Sequence, residues 1–170
     1  MDFLNFLFGV TSNPFLYSLI FFIYVVLAVV ILPIPVEIGL FNPSVHPVIL
    51  IVLLAVGKGA GSLIVYLIGA TVRKGIKARA IGINFILTKK IIRLCEEFVK
   101  KYGYYGLFII MSTPLMIDSV SLYLFSLLNP RYKDKKALSA TRFVLVNIFA
   151  GAMRSIIILS LAYYVGIKLV

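Results

Sequence analysis

Long apolar segments separated by polar and basic stretches dominate the chain. A helical crossing of the ~30 Å hydrocarbon layer of a membrane takes roughly 20 residues. Four segments approach or exceed that length, at residues 14–32, 46–72, 104–128 and 143–167. The first has no charged residue, and each of the other three has one Asp, Lys or Arg in its interior. The pattern predicts membrane-embedded helices with isolated buried charges.

The third segment has basic sequence on both sides, so both of its ends are expected on the same face of the membrane. A re-entrant hairpin satisfies this, with two arms of ten to fourteen residues that reach mid-membrane at ~1.5 Å per residue. Pro114 has no N–H and disfavours helix before it, so it predicts the break. A kinked full crossing is the alternative, and it would place one basic stretch outside.

An amphipathic helix is predicted between the apolar segments, within residues 84–103. Apolar residues recur there at helical spacing, with lysine, arginine and glutamate on the other faces: Leu87, Ile91, Leu94, Phe98 and Tyr102. Such a helix typically lies in the membrane interface. The alternative is a polar connecting helix that touches no lipid.

Two halves of the chain repeat the same order of features. The first has Pro33-x-x-x-Glu37, Asn-Pro, Lys58 and Tyr-x-x-Gly; the second has Pro114-x-x-x-Asp118, Asn-Pro, Arg154 and Tyr-x-x-Gly. We therefore predict one all-α integral membrane domain built as an inverted repeat. Each repeat has a broken or re-entrant hairpin and a transmembrane helix, with repeat 1 at 14–72, the interfacial linker at 73–102 and repeat 2 at 103–168. Inverted repeats are common in transporters, whose sites lie at the repeat interface.

Composition and charge support the same interpretation. Of the 170 residues, 62% are hydrophobic and 14% are charged, against about 45–50% apolar and about 25% charged in soluble domains. The net charge of +11 is concentrated in the segments 73–101 and 131–142, which the positive-inside rule places in the cytoplasm. No Lys or Arg precedes Lys58, so both termini are expected outside. The charge thus indicates membrane topology and anionic headgroups rather than nucleic acid.

Four ionisable residues are predicted at membrane depth: Glu37, Lys58, Asp118 and Arg154. Each costs about 2.5–3.5 kcal/mol at a helix centre, which favours pairing of the two acids with the two bases. Glu37 with Arg154 and Asp118 with Lys58 is one pairing, and pairing within each repeat is the other. Structural alternatives are helix capping by the acids and snorkelling by the bases. Gly57, Gly59 and Gly61 beside Lys58 predict close helix packing.

Three stretches carry a family resemblance: "LPIPVEIGL" from residue 32, "GKGAGSLIVYLIG" from residue 57 and "FVKKYGYYGLFIIMSTPLMIDS" from residue 98. They resemble the DedA family, also called the VTT or SNARE-associated Golgi superfamily, over roughly residues 15–168. The resemblance implies an inverted repeat with two re-entrant hairpins and a role in lipid translocation. Glu37 and Pro114 match motif positions, whereas Met111 and Ile117 stand where bacterial members usually have arginines. The chain is thus expected to be a divergent member.

These observations favour a membrane lipid translocator, either a scramblase or a proton-coupled flippase, with Glu37, Asp118, Lys58 and Arg154 along the pathway. Pro33, Pro35 and Pro114 would break the hairpins. The alternatives are a proton-coupled exporter of small solutes or drugs and a membrane scaffold without transport. No enzyme, cofactor or metal site is expected. Membrane lipids are the expected partners, protons are a candidate coupling ion, and a homo-oligomer is compatible with the pattern.

Overall fold

The computed structural model of the chain describes residues 13–31, 36–79, 97, 101–114, 118–127, 131–132, 135–136 and 138–165. The helices are α1 (Pro14–Val30), a 3-10 helix η1 (Val36–Phe41), α2 (Pro47–Arg79), α3 (residues 101–112), α4 (Asp118–Leu127) and α5 (Ala140–Tyr164). Two short strands, β1 (Arg131–Tyr132) and β2 (Lys135–Lys136), pair antiparallel. The predicted helical fold is confirmed, with this small hairpin as an addition that the apolar pattern did not predict.

Local sequence explains most helix ends. The Asn13 side chain accepts hydrogen bonds from the N–H groups of Phe15 and Leu16 and so caps the start of α1. Helix α3 ends at residue 112, just before the predicted break at Pro114. The predicted apolar span at 46–72 corresponds to the membrane-length stretch Pro47–Val72, and α2 itself continues to Arg79. Lysine and arginine are good helix formers, so the helix continues beyond the apolar run.

Helices α1 and α2 start at the same end of the molecule and run parallel. A Cβ atom built on Gly57 would lie 2.8 Å from a Val25 methyl, and one on Gly61 would lie 2.7 Å from a Val29 methyl. After α1 the chain turns back, since the Tyr17 hydroxyl donates to the Gly39 carbonyl at 2.7 Å. The segment from Pro14 to Phe41 therefore goes out along α1 and returns through η1.

The segment containing α3 and α4 approaches α2 from its other end. Near the start of α3, the Tyr104 side chain contacts Ser139, the residue before α5. Near its end, the Met111 carbonyl accepts a hydrogen bond from Lys58, in the middle of α2. Helix α4 then runs back, because Ser126 donates to the Val65 and Tyr66 carbonyls. The ends of this segment lie near the C-terminal half of α2, and its break lies beside Lys58.

Helix α5 packs antiparallel against α2. The direction follows from two glycine contacts. Gly59 faces Val144 and Ile148, whereas Ala55, which comes earlier in α2, contacts Gly151, which comes later in α5. The core forms two apolar clusters along this helix pair. One includes Tyr66, Leu107, Phe125 and Phe143, and the other includes Phe21, Val25, Leu50 and Leu159.

The outer surface is strongly apolar, whereas several polar residues are buried. Phe15 is 81% exposed and Phe149 is 66% exposed, and large aliphatic side chains are exposed on every long helix. Exposed apolar area on this scale marks a surface that meets lipid or another protein. Among the described residues, two helices are long and apolar enough to cross a membrane, at Pro47–Val72 and Ala140–Tyr164. These features indicate membrane association.

Several predictions fall outside the described residues. Pro33 and Pro35 lie in 32–35, and most of the predicted amphipathic helix lies in 80–96 and 98–100. Of that helix, Glu97 is helical and exposed, and Tyr102 lies at the start of α3.

Candidate functional site

All four ionisable residues predicted at membrane depth meet in one buried network. Lys58 Nζ lies 3.1 Å from the Asp118 carboxylate, and Arg154 Nη1 lies 2.8 Å from Asp118 Oδ1. Arg154 Nη2 also donates to Glu37 Oε1. The exposed fractions are 0% for Lys58, 1% for Arg154, 5% for Glu37 and 7% for Asp118. The network therefore runs Lys58–Asp118–Arg154–Glu37, with alternating charge.

The network contains both ion pairs of the pairing between repeats and one of the two ion pairs within a repeat. Glu37–Arg154 and Lys58–Asp118 join the halves of the chain, and Asp118–Arg154 forms within the second half. Snorkelling does not occur, because both cations are buried against acids. Both acids also lie near helix N-termini, since Glu37 is in the first turn of η1 and Asp118 in the first turn of α4. Acidic groups at helix N-termini are favourable there.

The packing of α2 against α5 brings the two cations to the same place. A Cβ on Gly151 would lie 3.0 Å from Lys58 Cδ and 3.2 Å from Ala55 Cα. The absent side chain therefore leaves room for the lysine stem between the helices. Arg154 follows about one turn later on α5, and Ser155 lies beside it in the buried face. Along both helices the network lies between the two apolar clusters.

The break in the second segment supplies a backbone ligand to the network. The last carbonyls of a helix lack partners within the helix. In α3, Thr113 Oγ1 donates to the Ile109 carbonyl at 2.9 Å, and Thr113 N donates to the Ile110 carbonyl at 3.3 Å. Lys58 Nζ donates to the next carbonyl, that of Met111, at 3.2 Å. Lys58 thus binds the end of α3 and the beginning of α4 at once.

The first segment joins the site at two points. Glu37 reaches Arg154, and the Val30 carbonyl at the end of α1 accepts a hydrogen bond from the Tyr123 hydroxyl of α4 at 3.1 Å. Glu37 Oε1 is used, whereas Glu37 Oε2 is buried without a hydrogen-bond partner among the described residues. The end of α1 and the first turn of η1 therefore contact α4 and α5 at the network.

The electrostatic balance of the site is close to neutral. Two carboxylates and two cations sum to zero when all four are ionised, which avoids an uncompensated buried charge. Removing one partner from such a network is strongly destabilising, whereas replacing a whole buried ion pair by apolar residues is often neutral or stabilising. Stability alone therefore does not account for four ionisable side chains at this position.

Sequence reasoning missed a set of small buried polar residues near the network: Ser62, Ser112, Ser119, Asn147 and Ser155. Ser62 and Ser155 donate to carbonyls of their own helices, at 2.8 and 2.9 Å. Within the described part of the chain, Ser112 Oγ and Asn147 Oδ1 have no hydrogen-bond partner. Helical spacing alone would have placed two of them on the same helix faces as the cations. Ser62 comes four residues after Lys58, and Asn147 comes seven before Arg154.

Two further observations bear on the identity of the site. The described residues contain no group of three His, Cys, Asp or Glu side chains that could hold a metal ion. Comparison with protein-family models, characterised proteins and solved structures gives no match for the chain. The resemblance to the DedA family therefore depends on the sequence motifs alone.

Proposed function

We propose that this chain is a divergent DedA-type membrane protein that moves lipids between the leaflets of a bilayer. The observation that carries the proposal is the neutral network of four buried ionisable residues at the point where two broken helical segments meet. Intramembrane ionisable residues are expensive and characteristically line pathways for substrates or ions. Around the network, the outer surface is apolar, as a bilayer requires.

The proposed architecture has two re-entrant hairpins in an inverted repeat. It is supported by segment direction: Pro14–Phe41 extends from the end of the molecule where α2 begins, whereas α3 and α4 extend from the opposite end. Each segment breaks near the middle of the pair formed by α2 and α5, which would be the two crossings. Broken helices at mid-membrane are tolerated where they line a cavity or are buried in protein, and transporters use such breaks as binding sites.

Single cysteines test this topology in a Cys95→Ser background. Asn13→Cys and His46→Cys, both exposed, should react with an impermeant maleimide from one side of the membrane, because α1 and α2 begin at the same level. Lys101→Cys and Ser139→Cys should react from the cytoplasmic side. Opposite accessibility of positions 13 and 46 would make α1 a full crossing and contradict the first hairpin.

The proposed mechanism is an exchange of partners within the network. Burial favours the neutral form of a carboxylate, whereas an adjacent cation favours the charged form. When Glu37 or Asp118 binds a proton, its attraction for Arg154 or Lys58 falls, and the cation becomes able to bind an anionic headgroup. Arg154 is suited to this role because guanidinium binds phosphate oxygens in a bidentate manner. Deprotonation of the acid restores the network and releases the headgroup.

Reconstituted liposomes with a fluorescent lipid and an impermeant quencher test the proposal, with and without a proton gradient. Glu37→Gln and Asp118→Asn should abolish most of the protein-dependent lipid movement. Glu97→Gln is the matched control, because it makes the same chemical change at an exposed position. Circular dichroism and gel filtration establish that each variant is folded. Glu37→Gln is the more informative variant, because removing the Glu37 carboxylate leaves the Lys58–Asp118 and Arg154–Asp118 contacts in place.

The outcomes separate the functional classes. Wild-type rates in both folded acid variants would refute the proposal. Acid-dependent flux of a water-soluble cation, without lipid movement, would assign the chain to the small-solute exporters. Absence of any flux in the wild type, together with misfolding of both acid variants, would assign it to the membrane scaffolds.

A further inference from the structure

We propose that a groove between α3 and α5 binds one acyl chain of an anionic phospholipid from the surrounding membrane. The groove has a volume of about 670 Å³ and is open along one side. It is separate from the ion network. Its described lining is entirely apolar or aromatic and includes Tyr104, Tyr105 and Phe108 from α3 and Val146, Phe149 and Met153 from α5.

The length of the groove matches one leaflet. On α5 the lining extends from Val146 to Ile156, which corresponds to about 15 Å at ~1.5 Å per residue. The hydrocarbon core of a bilayer is ~30 Å thick, so one leaflet occupies about half of it. An acyl chain lying along the groove would therefore reach from the interface to about the middle of the membrane.

Two cations lie at one end of the groove, and the rest of its lining is apolar or aromatic. The groove therefore matches a lipid with an anionic headgroup at one end and an acyl chain beyond it. Arg142 is exposed and lies one helical turn before Val146, on the same face of α5. Lys101 is exposed at the corresponding end of α3. The two helices are joined there, because Ser139 N donates to the Tyr104 hydroxyl oxygen at 2.7 Å. A headgroup phosphate at this end would meet Arg142 while its chain entered the groove.

A phospholipid fits this combination better than a second copy of the chain. The cations stand at the end of α5 that follows the basic segment 131–136, where an anionic headgroup would lie. A second copy that presented the same face would bring cations to that end, because Asp118 and Asp134 are the only Asp or Glu between residues 98 and 170 and Asp118 is buried. The inference requires membrane association, but it does not require that the protein translocates lipid.

A tryptophan reporter tests the groove, because the chain has no Trp. Phe149→Trp places the indole on the exposed lip of the groove. Val56→Trp is the matched control, since Val56 is 47% exposed on α2 and lies at the same level, as the Ala55–Gly151 contact shows. The protein is reconstituted in vesicles with a small fraction of phosphatidylglycerol brominated on its acyl chains, which quenches nearby indoles. The indole at position 149 should be quenched several-fold more than the indole at position 56, because the groove holds a brominated acyl chain beside it.

Charge selectivity provides the second measurement. One arginine near the membrane surface contributes about a fivefold preference for an anionic lipid. Phe149→Trp should therefore be quenched more strongly by brominated phosphatidylglycerol than by brominated phosphatidylcholine. Arg142→Gln should reduce that difference, and the remaining preference would come from Lys101. Arg142 is exposed, so this substitution is expected to leave the fold intact, and Met153→Trp offers an independent reporter.

Three results would overturn the proposal. The first is equal quenching of the groove and control reporters. The second is quenching that is the same for both lipids and insensitive to Arg142→Gln. The third is formation of a disulfide dimer by Phe149→Cys in the Cys95→Ser background, with no excess quenching, which would assign the groove to a second copy. The quenching measures occupancy of the groove and not movement of lipid between leaflets, so failure of the lipid-movement proposal and failure of this one are distinguishable.

Discussion

Asp118 should be the more sensitive of the two acids in the ion network. It is 7% exposed and contacts both cations, Lys58 at 3.1 Å and Arg154 at 2.8 Å. Asp118→Asn keeps the shape of the side chain but leaves an uncompensated buried charge. Breaking a buried ion pair in this way costs about 3–5 kcal/mol. We expect a loss of that size in the free energy of unfolding.

The double variant Lys58→Met/Asp118→Asn gives the decisive comparison. Removing the cation together with the acid restores neutrality and leaves the Arg154–Glu37 pair. The remaining cost comes mainly from the Met111 carbonyl, which loses its hydrogen bond from Lys58. An unsatisfied buried polar group costs about 1–3 kcal/mol. The double variant should therefore be more stable than Asp118→Asn alone by about 2 kcal/mol, given the coupling energies typical of residues in contact.

Denaturant titration in mixed detergent micelles, followed by circular dichroism, measures these differences. Glu97→Gln is the control for loss of an exposed acid and should change stability by no more than about 0.5 kcal/mol. The single variant Lys58→Met completes the comparison. If the losses of stability in Lys58→Met and Asp118→Asn add up to that of the double variant within about 0.5 kcal/mol, Lys58 and Asp118 do not interact. That result would refute the network as the basis of the site.

Two packing predictions follow from contacts elsewhere in the molecule. Gly69→Ala should destabilise the fold by about 1–3 kcal/mol, because its new Cβ would lie 2.7 Å from Ser126 Cβ. Gly59→Ala is the control, because its new methyl meets a flexible isoleucine side chain instead. The loss of stability in Gly59→Ala, measured by the same denaturant titration, should be smaller. Tyr66→Phe should cost about 0.5–1.5 kcal/mol, because its hydroxyl donates to the Leu138 carbonyl at 2.9 Å; an unchanged unfolding midpoint would contradict that assignment.

The sequence was most informative about the long apolar helices and the charged residues within or beside them. Long apolar runs predicted the helices well, because a bilayer-spanning helix needs a continuous apolar stretch. A single charge in such a run is conspicuous, which is why the sequence alone singles out Lys58, Asp118 and Arg154. Glu37 lies between two runs and stands out because Pro33-x-x-x-Glu37 matches Pro114-x-x-x-Asp118. The glycines around Lys58 were predicted to allow close packing, and the contacts of Gly57 and Gly61 with α1 confirm it.

Other features depend on tertiary geometry that no local pattern contains. The pairing of Asp118 with both cations requires the relative positions of three helices. The hydrogen bond from Lys58 to the Met111 carbonyl requires a helix end at one particular residue. The groove between α3 and α5 depends on how these two helices are placed relative to one another. The small hairpin at 131–136 forms within a polar stretch where hydrophobic periodicity gives no guidance.

The alternation of charge in the network has a consequence for the response of the protein to voltage. With all four groups ionised, Lys58–Asp118–Arg154–Glu37 carries no net charge, so a uniform field exerts no net force on the site. A bound proton gives the site one positive charge. Moving a full charge through a membrane potential is worth about 2.3 kcal/mol per 100 mV. Membrane voltage should therefore act on the net charge of the site only while Glu37 or Asp118 is protonated and no anionic headgroup is bound, because a bound headgroup would restore neutrality.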